Sequence, residues 1–321
     1  MALLWIDGFD LYDNTYIDGA YEGGAGNIDT SNYRHGRAAL GDGSSAEKYL
    51  DANYQTLIVG FAYYNPGPGG ASDLIVLKDG TNTQILIKDS NGDLEIKRGF
   101  SLLANVPNVF PLNRWLYVEV KVTIDNSAGA VEVRIDGVTV ASLSGIDTQN
   151  TGNNYVNRVT LDGGCYKDDF YICDTSGAKN NDFLGDIAIE AVVPDANGTN
   201  QDWTPSAGSD HYAVIDEVPP NGDSDYLSTG STGQKETNQH AALTLTGSVL
   251  GVQQMHLVRK DDAGSWTVKP ICKSGSTESA GSALAVSDTY TYVTRILEDD
   301  PDTGADWLPA GVNAAEWGIE S

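Results

Sequence analysis

The chain has 321 residues, enough for two domains, and carries 19 Lys and Arg against 45 Asp and Glu, a formal charge of -26. A nucleic-acid binder that grips phosphates needs a basic face, so that class is excluded as the default. No stretch reaches the ~20 apolar residues that span a bilayer, and the opening Ala2-Leu3-Leu4-Trp5-Ile6-Asp7 lacks the basic start of a signal peptide, so the expectation is a chain made without an export signal. The acids are mostly Asp (33 against 12 Glu), and there are 36 Gly and 16 Tyr but only 2 Met. Asp and Gly favour turns over helices, so the composition predicts strands joined by tight turns.

In chain order, a strand is expected near 3–6, then an irregular Gly- and Asn-rich stretch over 14–56 with a short strand near 37–40. Leu57 to Tyr64 reads as a β run, closed by Pro66-Gly67-Pro68-Gly69-Gly70. A meander follows, with strands at Leu74–Lys78, Gln84–Lys88 and Leu94–Arg98. Asp79-Gly80 and Asn91-Gly92 supply the positive φ of its turns. The clearest alternation runs from Trp115 to Ile124. Leu116, Val118, Val120 and Val122 share one face, while Trp115, Tyr117, Glu119 and Lys121 share the other, which predicts a half-buried strand. Val131, Val133 and Ile135 repeat the pattern, and Asp136-Gly137 turns the chain into Val138–Leu143. Three such strands need a second sheet to cover their apolar face. Strands at Val156–Leu161 and Asp169–Cys173 complete the first region.

Asp174–Asn181 has linker composition, and the domains are set at 1–180 and 181–321, with Phe183–Val193 as an alternative returning strand of the first. In the second region, strands are expected at Tyr212–Val218, Ala242–Leu245, Val249–Val258, Ser265–Cys272 and Thr289–Leu297. The stretches 195–209 and 222–240 read as loop. Pro309–Glu316 can form a short helix, and Trp317-Gly318-Ile319 a last strand. Both regions are acidic.

Few residues suggest chemistry. Cys165, Cys173 and Cys272 form no CxxC pair and read as buried thiols of a reducing compartment, with a Cys165–Cys173 bridge as the alternative. His35, His211, His240 and His256 show no metal spacing. Asp168 and Asp169 are adjacent on a strand and so should point to opposite faces, unlike the same-face pair that a glycosidase needs. No nucleophile elbow, phosphate loop or HExxH occurs. The one candidate cation loop is Asp195, Asn197 and Asp202, oxygen donors at near-alternate positions that could take Ca2+; otherwise no cofactor is expected. Trp203 and Trp266 are the candidate sugar-stacking aromatics, against the commoner use of Trp at sheet edges and contacts.

Two resemblances follow from these residues. The strand at 60–64, the meander, Arg114-Trp115-Leu116-Tyr117-Val118-Glu119, the hairpin through Asp136-Gly137 and the late Lys167-Asp168-Asp169-Phe170-Tyr171-Ile172 resemble the concanavalin A-like and laminin-G-like sandwich. That resemblance implies an all-β antiparallel jelly-roll over 1–180, in which the late strand pairs with the N-terminal one. The opening Met1 to Asp10, Pro219-Pro220-Asn221-Gly222-Asp223-Ser224-Asp225-Tyr226, and the closing Asp300–Trp307 and Val312–Gly318 resemble tailed-bacteriophage virion proteins. The second resemblance implies a non-enzymatic subunit of the particle, on tail, fibre or capsid surface. Its partners would be its own copies and other virion proteins, with a host surface glycan as the alternative ligand and 181–321 as a β-rich docking domain.

Overall fold

The computed structural model describes residues 2–67, 71–162 and 164–321. Pro68–Gly70 of the expected turn and Met1 of the opening motif lie outside the described residues. The protein is all-β and its sheets are antiparallel. The chain divides into two compact units, Met1–Ile189 and Glu190–Ser321.

The first unit is a sandwich of two sheets. Its strands are β1 (Leu3–Asp7), β2 (Gly23–Ala25), β3 (Ile28–Asp29), β4 (Ala39–Leu40), β5 (Ser45–Tyr54), β6 (Thr56–Tyr64), β7 (Ser72–Asp79) and β8 (Asn82–Ser90). They continue with β9 (Asp93–Arg98), β10 (Ser101–Val106), β11 (Trp115–Thr123), β12 (Gly129–Ile135), β13 (Val138–Ile146), β14 (Val156–Leu161) and β15 (Tyr166–Cys173). The front sheet runs β13-β12-β11-β6-β15-β4-β3, with β1 also on β15; the back sheet runs β10-β9-β8-β7-β14-β5-β2. As the sandwich resemblance implies, the N-terminal strand pairs with the late one, Ile6 opposite Tyr171 and Asp7 opposite Phe170.

Cross-strand register sets the core. Leu57, Val59, Phe61 and Tyr63 of β6 stand opposite Val122, Val120, Val118 and Leu116 of β11, and all eight are buried. Val131 and Val133 of β12 extend the same face. At roughly 1.5–3 kcal/mol for each large side chain removed from water, this face dominates the stability of the unit.

The opening motif serves packing. Asp7 accepts the Phe9 N–H at 2.7 Å and the Tyr21 hydroxyl at 2.6 Å, and also the Tyr12 hydroxyl. Tyr21 in turn accepts the Trp5 indole N–H at 3.1 Å. Trp5, Phe9, Tyr12 and Tyr21 are all buried. Here the aromatics hold an irregular segment against the end of β1, and burial raises the Asp7 carboxyl above its ordinary range.

Two expectations need correction in this unit. The stretch from 14 to 56 is not wholly irregular, because β5 is a ten-residue strand. Phe183–Val193 is not a strand; residues 182–189 run as an extended strap over the front sheet, and the linker-like 174–181 belongs to the same compact unit.

The second unit contains β16 (Pro194–Gln201), β17 (Thr204–Pro205), β18 (Leu227–Ser228), β19 (Lys235–His240), β20 (Val252–Val258), β21 (Trp266–Ser274), β22 (Thr277–Ala280), β23 (Leu284–Val286), β24 (Thr291–Leu297), helix α1 (Pro309–Ala314) and β25 (Glu316–Glu320). Its main sheet runs β16-β19-β25-β21-β22, with β23 on β21; β17-β18 and β20-β24 are separate two-stranded ribbons. The core gathers Cys272, Leu297, Trp307, Val312, Ala315 and Trp317, with the Trp307 and Trp317 rings 5.3 Å apart. The closing segments that carry the virion resemblance therefore supply four of these six residues, Trp307, Val312, Ala315 and Trp317.

Differences from expectation in this unit have local causes. Tyr212–Val214 is a single 3-10 turn, and the Tyr212 N–H goes to Asn197 Oδ1 at 3.1 Å instead of a strand partner. Ala242–Leu245 joins no sheet. The Thr244 and Leu245 N–H groups donate to the Glu190 carboxylate (2.8 and 3.0 Å), and the Leu243 N–H to Asn313 Oδ1 (2.9 Å). The supposed loops at 195–209 and 222–240 contain β16 and β19.

Candidate functional site

A cluster of buried polar groups lies on the outer face of the front sheet. By register, Tyr117 and Glu119 of β11 point away from the core beside Ala62 and Gly60 of β6. Tyr171 of β15 stands opposite Gly60 and Asp168 opposite Ala62, and between them the register slips, so Asp169 and Phe170 share one position on β6. This bulge, with Asp169 at φ 48°, breaks the two-residue alternation. Asp168 and Asp169 therefore do not face opposite ways. Both carboxylates converge on Arg34 and His35.

Asp168 Oδ2 accepts the backbone N–H groups of Arg34 (2.7 Å) and His35 (3.2 Å). Asp169 Oδ2 meets the Arg34 guanidinium at 3.0 Å and His35 Nδ1 at 2.7 Å, while its Oδ1 accepts the Ile189 N–H at 2.7 Å. Both acids are fully buried. Burial, and then the neighbouring Asp169 charge, push the Asp168 carboxyl up to about 8, against the backbone N–H groups of Arg34, His35 and Asp169 that favour its charged form. Arg34 continues outward to Asp186 and the Ile187 carbonyl, with its guanidinium over the Tyr117 ring.

The strap closes the face. Tyr171 donates its hydroxyl to Glu119 Oε1 at 2.6 Å; the Gly185 N–H donates to the same oxygen at 2.8 Å, and the Leu184 N–H to the Tyr171 oxygen at 3.2 Å. Lys121 pairs with Asp182 at 3.2 Å, and the Arg134 guanidinium lies 3.9 Å from the Phe183 ring centroid. Tyr117 and Glu119 are each 1% exposed, so β11 is buried on both faces here and the half-buried expectation fails. Sequence alternation identified the outward face but gave no sign that a segment some 65 residues downstream would cover it. Chemically, the arrangement anchors a strap. Its carboxylates are engaged by internal donors, with Glu119 Oε2 the one buried oxygen of the three acids that lacks a partner among the described residues.

The predicted site residues lie in the second unit. Asp195, Asn197 and Asp202 fall on or beside β16, an irregular edge strand paired to β19, where a calcium loop was expected. Asn197 Oδ1 is taken by the Tyr212 N–H, and Asp202 Oδ2 accepts the Lys235 N–H at 3.0 Å. Among the described residues, no group of three or more His, Cys, Asp and Glu side chains gathers as a metal site. Trp203 and Trp266 are half-buried and are brought together on one apolar cluster, Val268, Val286, Val293 and Ile319. The Trp203 indole donates to the Gln234 carbonyl at 3.2 Å and the Trp266 indole to Asp262 at 3.1 Å.

The sequence did not single out the acids buried beneath this sheet. Glu236 is buried against His211 Nδ1 at 3.0 Å, and burial raises its carboxyl. Glu316 works against its own burial: the Thr199 N–H (2.7 Å) and the Thr199 and Thr237 hydroxyls (2.8 Å each) hold its carboxyl below the usual range. Cys165, Cys173 and Cys272 are buried thiols, and no Cys165–Cys173 bridge is formed.

No family model and no curated protein matches the chain. Solved structures similar to it include the Caenorhabditis elegans galectin LEC-6 (11% identity, TM-score 0.31, covering 40% of this chain and 89% of that one) and the alginate lyase Aly36B (9%, 0.37, 54% and 95%). The binding domain of a botulinum neurotoxin DC is also similar (15% identity, TM-score 0.35), over 46% of this chain and 41% of that one.

Proposed function

We propose that this chain is a non-enzymatic structural subunit of a tailed-bacteriophage particle, carried on the tail, a fibre or the capsid surface and held by contacts between β domains. The observation that carries the reading is the strap. The outer face of the front sheet, with the buried acids Glu119, Asp168 and Asp169, is filled by residues 182–189 of the same chain. Its carboxylates hold the protein's own backbone. The virion resemblance adds weight, because its aromatics (Trp5, Phe9, Trp307 and Trp317) are spent on packing. Assembly needs rigid surfaces and no turnover. The test is mass spectrometry and gold-labelled antibody on purified particles of the phage encoding the chain. A stoichiometric, surface-labelled component is expected; absence from particles overturns the reading, and so does sugar release by the purified chain that Asp168→Asn abolishes.

A second reading, a glycan-binding adhesin, is favoured by one observation: the half-buried Trp266 ring beside Asp262 joins an apolar face to a hydroxyl-binding group. It predicts a glycan-array signal that Trp266→Ala removes. Silence across host surface glycans overturns it.

A further inference from the structure

Both sheets of the first unit end on one flank in a long open edge strand, β13 in front and β10 behind. The chain leaving β13 binds the back sheet: Asp147 pairs with Arg98, the Asn150 N–H donates to Gln84 Oε1 at 2.6 Å, and the Asn150 side chain donates to the Thr83 carbonyl at 2.8 Å. At the other flank the edges are β2 and β3, only three and two residues long. Long edges are ordinarily blunted with charge, Lys above all. These are not. Residues 99–113, spanning β10 and the segment after it, and 137–146, spanning β13, contain no charged side chain in a chain that is 20% charged. Of those residues 22 are exposed or half-buried. Phe100 is 96% exposed, Val138 66% and Leu102 56%.

We infer that this uncharged flank is a self-association surface, on which a second copy of the chain docks about a two-fold axis. The inference rests on the assembly reading and names its partner. Charge selects the occupant. A basic partner would be drawn to the acidic side chains elsewhere on the chain, whereas two copies of net charge -26 repel each other and can approach best where neither carries charge. The size also fits, since a stable interface engages about 20–30 residues a side. Register slips at Leu103 in β10 and Val140 in β13 interrupt the edges, which disfavours an unlimited ladder. Contact through projecting side chains of identical patches closes as a pair.

The test is sedimentation velocity of the full chain across concentration and salt. A dimer is expected, tightening between about 0.05 and 0.5 M salt as repulsion is screened. Phe100→Asp with Leu102→Asp should weaken it at least about a hundredfold, as loss of two interface anchors does. Val138→Asp, at another point of the flank, should also weaken it, and Tyr226→Asp, exposed in the second unit, should not. Thermal melting checks that each variant folds. A monomer at every concentration overturns the inference, as does a dimer indifferent to all three flank substitutions. Monomers found on particles overturn the pairing alone; absence from particles overturns the assembly reading.

Discussion

Tyr171 lies flat across Gly60: a Cβ built on Gly60 would sit 2.1 Å from the tyrosine Cε1. The missing side chain lets the ring cross the sheet and bring its hydroxyl to Glu119 and the Leu184 N–H. Gly60→Ala therefore has to expel a ring that is fully buried. The expected cost is about 2–4 kcal/mol, from overpacking plus the lost hydroxyl contacts. Denaturant unfolding measures it, and an unchanged midpoint would refute the account of the strap.

Arg34 is the strap's cationic anchor. It faces Asp169, Asp186, the Ile187 carbonyl and the Tyr117 ring at once. Removing it leaves Asp169 buried with the His35 ring as its remaining side-chain partner. Breaking a buried pair from one side costs roughly 3–5 kcal/mol, so Arg34→Ala should destabilise the first unit by that order and release residues 182–189. Hydrogen exchange should then rise at Gly185 and Ile189 before it rises in β6 or β11.

The two units should respond to pH in opposite directions. In the first, burial raises Asp10 to about 6 and Asp168 to about 8 from an ordinary 3.8. The unfolded chain releases these protons first, so their stabilising contribution is full below about pH 4 and is lost as pH rises towards 8. In the second, burial lowers His240 and His256 from 6.5 to about 4. Their contribution is full above pH 6.5 and is lost as pH falls to 4, on the order of a few kcal/mol in all. Calorimetry between pH 4.5 and 7.5 should show two transitions converging or separating with pH. Asp168→Asn should flatten one trend and His256→Gln the other; parallel trends would contradict these assignments.

Trp307 is the largest fully buried side chain of the second unit and packs on Trp317. Trp307→Ala should cost about 3–5 kcal/mol, and the loss should fall on the second unit's melting transition alone.

Apolar runs and alternation made most of the first unit legible, down to the inner residues of β11 and β12. Strands stabilised by polar pairing were not. In β5 Glu47 faces Lys78, Arg158 (3.4 Å) and the Thr160 hydroxyl (2.8 Å), so charge takes the place of hydrophobic period. β19 buries Glu236, Thr237 and Asn238, which read as loop until Glu316 and His211 are brought to them by distant segments. Nor did the sequence reveal the bulge at Asp169. One extra residue turns two opposed carboxylates into neighbours, and a period-two rule has no means of signalling where the period fails.

The position of β25 has its own consequence. Glu316–Glu320 lies between β19 and β21 and hydrogen-bonds to both. The middle plank of that sheet comes after both of its neighbours in chain order, so the two strands flanking its slot have no partner between them until it arrives. Without β25 the sheet would split and expose two sticky margins.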